Sequence, residues 1–182
     1  MNTARLSLQK VGHAMDTRKN ILIALDDSDA SMRAVAYVAA IIGAQSGLRI
    51  ELFHVLPPLP SEVLEISWPD APELAQRAKA EFRAARTQWI AKAEQAAQPM
   101  FTRAKALLSE AGVPDDAIRT QVFASFDVRE VVADILEAAR TRQCGTVVVG
   151  RETFSDFEKM FHQHVGDQLV PQGQGLAFWI VE

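Results

Sequence analysis

Residues 20–31, NILIALDDSDAS, decide how the rest of the chain is read. Residues 20–25 are an apolar run rich in β-formers, and Asp26-Asp27-Ser28-Asp29 halts it. Unbroken apolarity, rather than alternation, predicts a strand covered on both faces, as in a parallel sheet. The segment after it, about residues 30–44, repeats Met32, Val35, Ala36, Ala39 and Ile42 at helical spacing. Ser28 or Asp29 suits its N-cap, and Gly43 or Gly47 its stop.

The same alternation continues along the chain. A second strand is predicted at residues 49–55 (RIELFHV), ended by Pro57-Pro58. Residues 59–71 read as a connection. From Pro72 to about Ala97 the composition is helical, and Pro99 should kink or end that helix before it resumes to Glu110. A third strand is predicted at residues 118–124 (IRTQVFA). Val128, Val131, Val132, Ile135, Leu136 and Ala139 mark one apolar helical face, with Ser125 or Asp127 as its cap. A fourth strand at residues 146–149 (TVVV) runs into Gly150. A polar segment, a short helical stretch at residues 164–170 and a last strand at residues 176–181 complete the chain. Strands alternating with helices predict parallel pairing through right-handed crossovers. The expected fold is one doubly wound α/β domain of five mainly parallel strands, spanning residues 19–182 behind a loose tail at residues 1–18.

Composition narrows the function classes. The 182 residues are 48 % hydrophobic and 23 % charged, an ordinary globular balance. Cys144 is the only cysteine, which excludes an intramolecular disulfide and a cysteine zinc cage. The net charge of −4 argues against a nucleic-acid coat. Residues 34–42 form the longest nearly apolar run, too short to cross a bilayer, and the first 20 residues lack a secretory apolar region. A cytoplasmic protein is expected.

In an open parallel sheet, ligands bind beyond the carboxyl ends of the strands, where the strand order reverses. Asp26 and Gly150 stand at two such ends. On these residues the chain, from residue 20 to residue 182, resembles the universal stress protein family. The family's opening is matched by Asp26, Ser28 and Ser31, its second-strand ending by Phe53-His54-Val55, and its later stretches by residues 111–114 (AGVP) and 146–150 (TVVVG). The resemblance implies an adenosine contact at Asp26, a place for Val55 at the cleft, and a phosphate loop of pattern Gly, two residues, Gly, nine residues, Gly, then Ser or Thr. Glycines suit such a loop because phosphate oxygens need closely approaching backbone N–H groups. On this chain Gly150 fits the first position, followed by Arg151; Thr153, Gln163 and His164 depart from the other three, and Val165 fits the apolar position after them. ATP is therefore not expected in the family's usual manner. The alternative is an adenine nucleotide, ATP or AMP, held by a rebuilt loop in which Arg151, His162 and His164 supply charged donors.

Plainer readings stand beside these. Asp26 suits a helix cap as well as a ligand contact. His54 suits a satisfied strand-end histidine, and Cys144 an inert thiol. His162 and His164 are two apart, a spacing that puts them on different sides of a helix, so no metal site is expected. Trp68, Trp89 and Trp179 read as core or interface anchors. The basic residues Arg77, Lys79, Arg83, Arg86 and Lys92 alternate with Glu73, Glu81 and Glu94, as on a solvated helix face. A Mg²⁺-dependent phosphoryl enzyme would need an aspartate ending strand three and a lysine after strand five, and neither is present. The resulting expectation is a non-catalytic stress-response or regulatory module. It should dimerise through the apolar strand at residues 176–181, meet a protein partner, and need no membrane or nucleic acid.

Overall fold

The computed structural model describes residues 19–43, 47–56, 59–60, 63, 71–124, 130–151 and 169–182. Its strands are β1 (Asn20–Leu25), β2 (Ile50–Leu56), β3 (Ile118–Ala124), β4 (Cys144–Gly150) and β5 (Ala177–Val181). Its helices are α1 (Asp29–Ile42), α2 (Pro72–Glu110) and α3 (Val131–Thr141), with a 3₁₀ turn at Asp115–Ala117 leading into β3. The five strands form one sheet in the order β3-β2-β1-β4-β5, and every pairing is parallel. The doubly wound fold predicted from the alternation is the fold found.

Burial on both faces explains the unbroken apolar runs. In β1, Ile21, Ile23 and Leu25 face a core shared with α1 and α2, while Leu22 faces a second core with α3 and Leu169. Leu22 and Ile23 are 0 % exposed, each stabilising the fold by about 1.5–3 kcal/mol relative to exposure. A polar residue at either position would face apolar atoms whichever way the strand turned.

Capping follows the expectation for α1. The hydroxyl of Ser28 accepts from the Ser31 N–H at 3.2 Å, and Gly43 closes the helix at φ 49 with its N–H on the Ala39 carbonyl, 2.9 Å. A positive φ there suits glycine because a Cβ would crowd the backbone. At α3 the described chain begins at Glu130, whose φ −91, ψ −7 is already helical and whose side chain makes no capping bond. Ser125, Asp127 and Val128 lie outside the described residues.

Pro99 corrects one half of its expectation: it does not end α2, which runs unbroken for 39 residues, close to 58 Å at 1.5 Å per residue. Pro99 and Gln95, whose carbonyl loses its donor, are both exposed, so that carbonyl is open to solvent. On the opposite side Ala97, Met100, Phe101, Ala104 and Leu108 are buried over β2 and β3, and this stripe carries the helix on past the proline. Before Ala97, Ala78 is the one buried residue of the helix.

Pro99→Ala restores a backbone donor at an exposed site and should raise unfolding free energy by on the order of 1–3 kcal/mol. Urea denaturation checks this, and a loss of stability would show that the proline shapes the helix.

Candidate functional site

The strand order reverses between β1 and β4, so the cleft of interest opens where those strands end. Ala24 pairs with Val149, which brings Gly150 beside Leu25 and Arg151 beside Asp26. Over this junction lies the first turn of α1. A Cβ placed on Gly150 would stand 2.3 Å from the Ala30 carbonyl carbon, 2.4 Å from its oxygen and 2.6 Å from the Ser31 nitrogen. Any side chain at residue 150 would push the helix off the sheet. The first glycine of the expected phosphate loop is therefore required by packing, with or without a ligand.

Asp26 is half-buried and turned back on its own loop. Its Oδ1 accepts the Ser28 N–H at 3.2 Å and the Ser28 hydroxyl. Ser31, 2 % exposed, sets its hydroxyl 2.7 Å from the Asp26 carbonyl and 3.0 Å from that of Ser28. Asp26 therefore does not cap α1 itself; it holds Ser28, whose hydroxyl does. Asp27 is exposed, and Asp29 is exposed with the Arg103 guanidinium of α2 at 4.0 Å. Three carboxylates therefore follow β1, in a loop where the Ser28 and Ser31 N–H groups already donate to side chains.

Arg151 extends the β4–β5 ladder, its N–H donating to the Val181 carbonyl at 2.7 Å, and its guanidinium lies 3.7 Å from the Glu182 carboxylate. That pair draws the side chain toward β5. Val55 is half-buried against the second core, beside Phe123 in the ladder. Thr153, His162, Gln163, His164 and Val165 lie outside the described residues.

His54, at the end of β2, has Nδ1 2.8 Å from the Leu25 carbonyl, and its ring meets Phe101 edge-on at 6.3 Å. A carbonyl only accepts, so Nδ1 carries the proton and donates. This is the satisfied strand-end histidine anticipated above. Cys144 is buried, and its thiol is pushed up to about 12 by burial first and by Glu51 second, against an opposing pull from Arg142. At neutral pH it carries almost no thiolate. Glu51, only 4 % exposed in the middle of β2, drew no attention from the sequence. The signal was available, since it is the one acid inside the otherwise apolar-facing RIELFHV run. Among the described residues no group of His, Cys, Asp or Glu could hold a metal ion, and no helix is long and apolar enough to cross a membrane.

Comparison with known proteins accounts for this arrangement. The model of the universal stress protein family matches residues 17–172. The chain belongs to the universal stress protein family. A family member from Burkholderia pseudomallei is 17 % identical, with a TM-score of 0.53 over 91 % of this chain and 96 % of that one. A universal stress protein from Archaeoglobus fulgidus is 15 % identical, with a TM-score of 0.54 over 90 % of this chain and 93 % of that one. A universal stress protein solved in complex with cAMP is 20 % identical, with a TM-score of 0.50 over 90 % of this chain and 96 % of that one. No curated protein matches. At these identities the likeness to the universal stress proteins of known structure is one of fold.

Two measurements follow. Gly150→Ala should cost about 2–4 kcal/mol of stability in ligand-free protein, read by thermal or urea unfolding, since the helix N-terminus must shift; an unchanged midpoint would reassign this glycine to a ligand. Cys144 should resist a thiol-specific reagent at pH 8 in the native state and react at once in denaturant. Rapid labelling of native protein would contradict its burial.

Proposed function

We propose that this universal stress protein is a non-catalytic regulatory module that works as a homodimer and does not hold ATP in the family's usual manner. The observation that carries the reading is the acidic, internally bonded mouth. Asp26, Asp27 and Asp29 surround the place where a polyphosphate would enter, the Ser28 and Ser31 N–H groups already donate to Asp26 and Ser28, and Arg151 leans to Glu182. A triphosphate would meet like charge at close range, with few open donors to offset it. The sequence adds that Gln163 and His164 stand where the family pattern has glycine and a hydroxyl.

A second reading, an adenine-nucleotide sensor with a rebuilt loop, is favoured by one observation. A structural neighbour was solved with cAMP, which carries one phosphate rather than three. A mononucleotide asks far less of the phosphate side of the cleft while keeping the adenosine side.

The dimer reading rests on the sheet's edge. β5 is the end strand of the described sheet, and apolar side chains flank it on both faces. Tyr37 of α1, 48 % exposed, packs edge-on against Trp179 at 6.0 Å, and Ile41 lies one turn further along. Ile180 and Val170 are exposed on the other side. Edge pairing with a second copy would satisfy the open ladder groups and cover these residues.

Melting with ATP, ADP, AMP and cAMP, each with and without Mg²⁺, separates the nucleotide readings. A ligand at a hundred times its Kd stabilises by about 2.7 kcal/mol. Silence with ATP is expected; a shift with ATP that is lost in Asp26→Ala would overturn the proposal, and a shift with cAMP or AMP alone would favour the sensor. For the dimer, light scattering should show two copies for the parent chain and one for Ile180→Lys, with little loss of stability because Ile180 is exposed. A monomeric parent would remove the dimer from the account.

A further inference from the structure

We infer that the opposite end of the sheet, where its strands begin, is a docking surface for a carboxylate-rich segment of a partner protein. The proposal names a partner class for the interaction-module reading. Its test involves no nucleotide and no oligomeric state, so either reading can fail alone.

Four arginines converge there on the face covered by α3. Arg119 of β3 pairs in register with Glu51 of β2, so their side chains share that face, and Arg49, two residues before Glu51, shares it by alternation. Arg140 and Arg142 lie at the C-terminal end of α3, where the helix field favours cations. The Nε–H of Arg142 donates to the Oε1 of Gln121 at 3.1 Å, and the Arg142 carbonyl accepts from the Asn20 side chain at 3.1 Å. Since Gln121 sits on β3 and Asn20 on β1, this bridge crosses the strand that carries Glu51. The Cys144 thiol senses both Glu51 and Arg142, which confirms that the two share one neighbourhood.

Charge at this rim is unbalanced. Arg49, Arg119, Arg140 and Arg142 are exposed, and none forms an ion pair with a carboxylate among the described residues. Glu51 lies buried beneath them rather than paired, and Glu137 of α3, three residues before Arg140, is exposed and forms no ion pair among the described residues. Arg142 commits Nε to Gln121, and Arg140 a terminal nitrogen to the Gln172 carbonyl at 3.3 Å, so their remaining N–H groups have no described acceptor. Glu110, Asp115 and Asp116 belong to the end of α2 and the turn into β3, and Asp115 already accepts the Ser109 hydroxyl at 2.7 Å. A chain of net charge −4 thus carries three aspartates at the mouth and a cluster of open guanidiniums at the opposite rim.

The shape selects the ligand. From β3 to β4 the rim crosses three strand spacings, roughly 14 Å, which an extended peptide of about four or five residues would span. One small anion would reach a single pair of guanidiniums. Successive carboxylates along a peptide would reach several, in the bidentate geometry that guanidinium favours. Among the described residues no aromatic side chain alternates with these arginines to stack a nucleobase, which favours a peptide over a nucleic acid.

Fluorescence anisotropy with a fluorescein-labelled hexaglutamate peptide at low ionic strength tests this on the full chain. Binding to the parent protein is expected, weakened at least tenfold in Arg119→Gln/Arg142→Gln and less than twofold in Arg77→Gln/Arg83→Gln on the exposed side of α2. Circular dichroism and melting verify that each variant is folded; should Arg142→Gln unfold the chain, Arg49→Gln/Arg119→Gln replaces it, with at least a fivefold loss expected. Absence of binding, equal loss in both sets of variants, or equally tight binding of a hexathymidylate would overturn the proposal.

Discussion

The contact between the first turn of α1 and the end of β4 constrains everything around it. Ala30 and Ser31 approach Gly150 so closely that no Cβ fits between them. That approach seats α1 across β1, β4 and β5, and it fixes where the β1 loop must turn. The turn is then built from short polar side chains bonding to one another: Ser28 caps the helix, Asp26 accepts from Ser28, and Ser31 reaches back to two carbonyls. Each is within five residues of its partner, so the loop assembles locally while the glycine permits docking.

Function inherits the consequences of that geometry. Two amides of the loop are taken by its own side chains and three carboxylates stand in it, which is the basis of the proposed reading. Tyr37, Ile41, Val170 and Ile180 are exposed around β5 and the open guanidiniums stand at the far rim, so the surfaces argued to meet other molecules are spatially separate. Between them lies a sheet with a buried core on each face, around Ile23 and Leu22.

How much of this was legible in the sequence depends on the range of the forces involved. The strands were legible because NILIAL and TVVVG are apolar without alternation, which only a doubly covered strand explains. Ser28 and Gly43 were legible because capping is a matter of one residue and its immediate neighbours. Pro99 misled, because proline's local cost is visible in sequence whereas the buried stripe from Ala97 to Leu108 that outweighs it is tertiary. Gly150 was noticed for its family pattern, yet its neighbour in space, Ala30, is 120 positions away in the chain. Glu51 was passed over because its significance depends on Arg119 and Arg142, which only the sheet brings near.

The account's central claim is that the mouth between Asp26 and Gly150 is closed to a polyphosphate by its own packing and hydrogen bonds. A crystal structure of the protein grown with ATP and magnesium tests it most directly. The account predicts the Asp26–Ser28 contact intact and no ordered triphosphate at Gly150. Three ordered phosphoryl groups lying against Gly150 and the amides of Gln163 and His164 would contradict it.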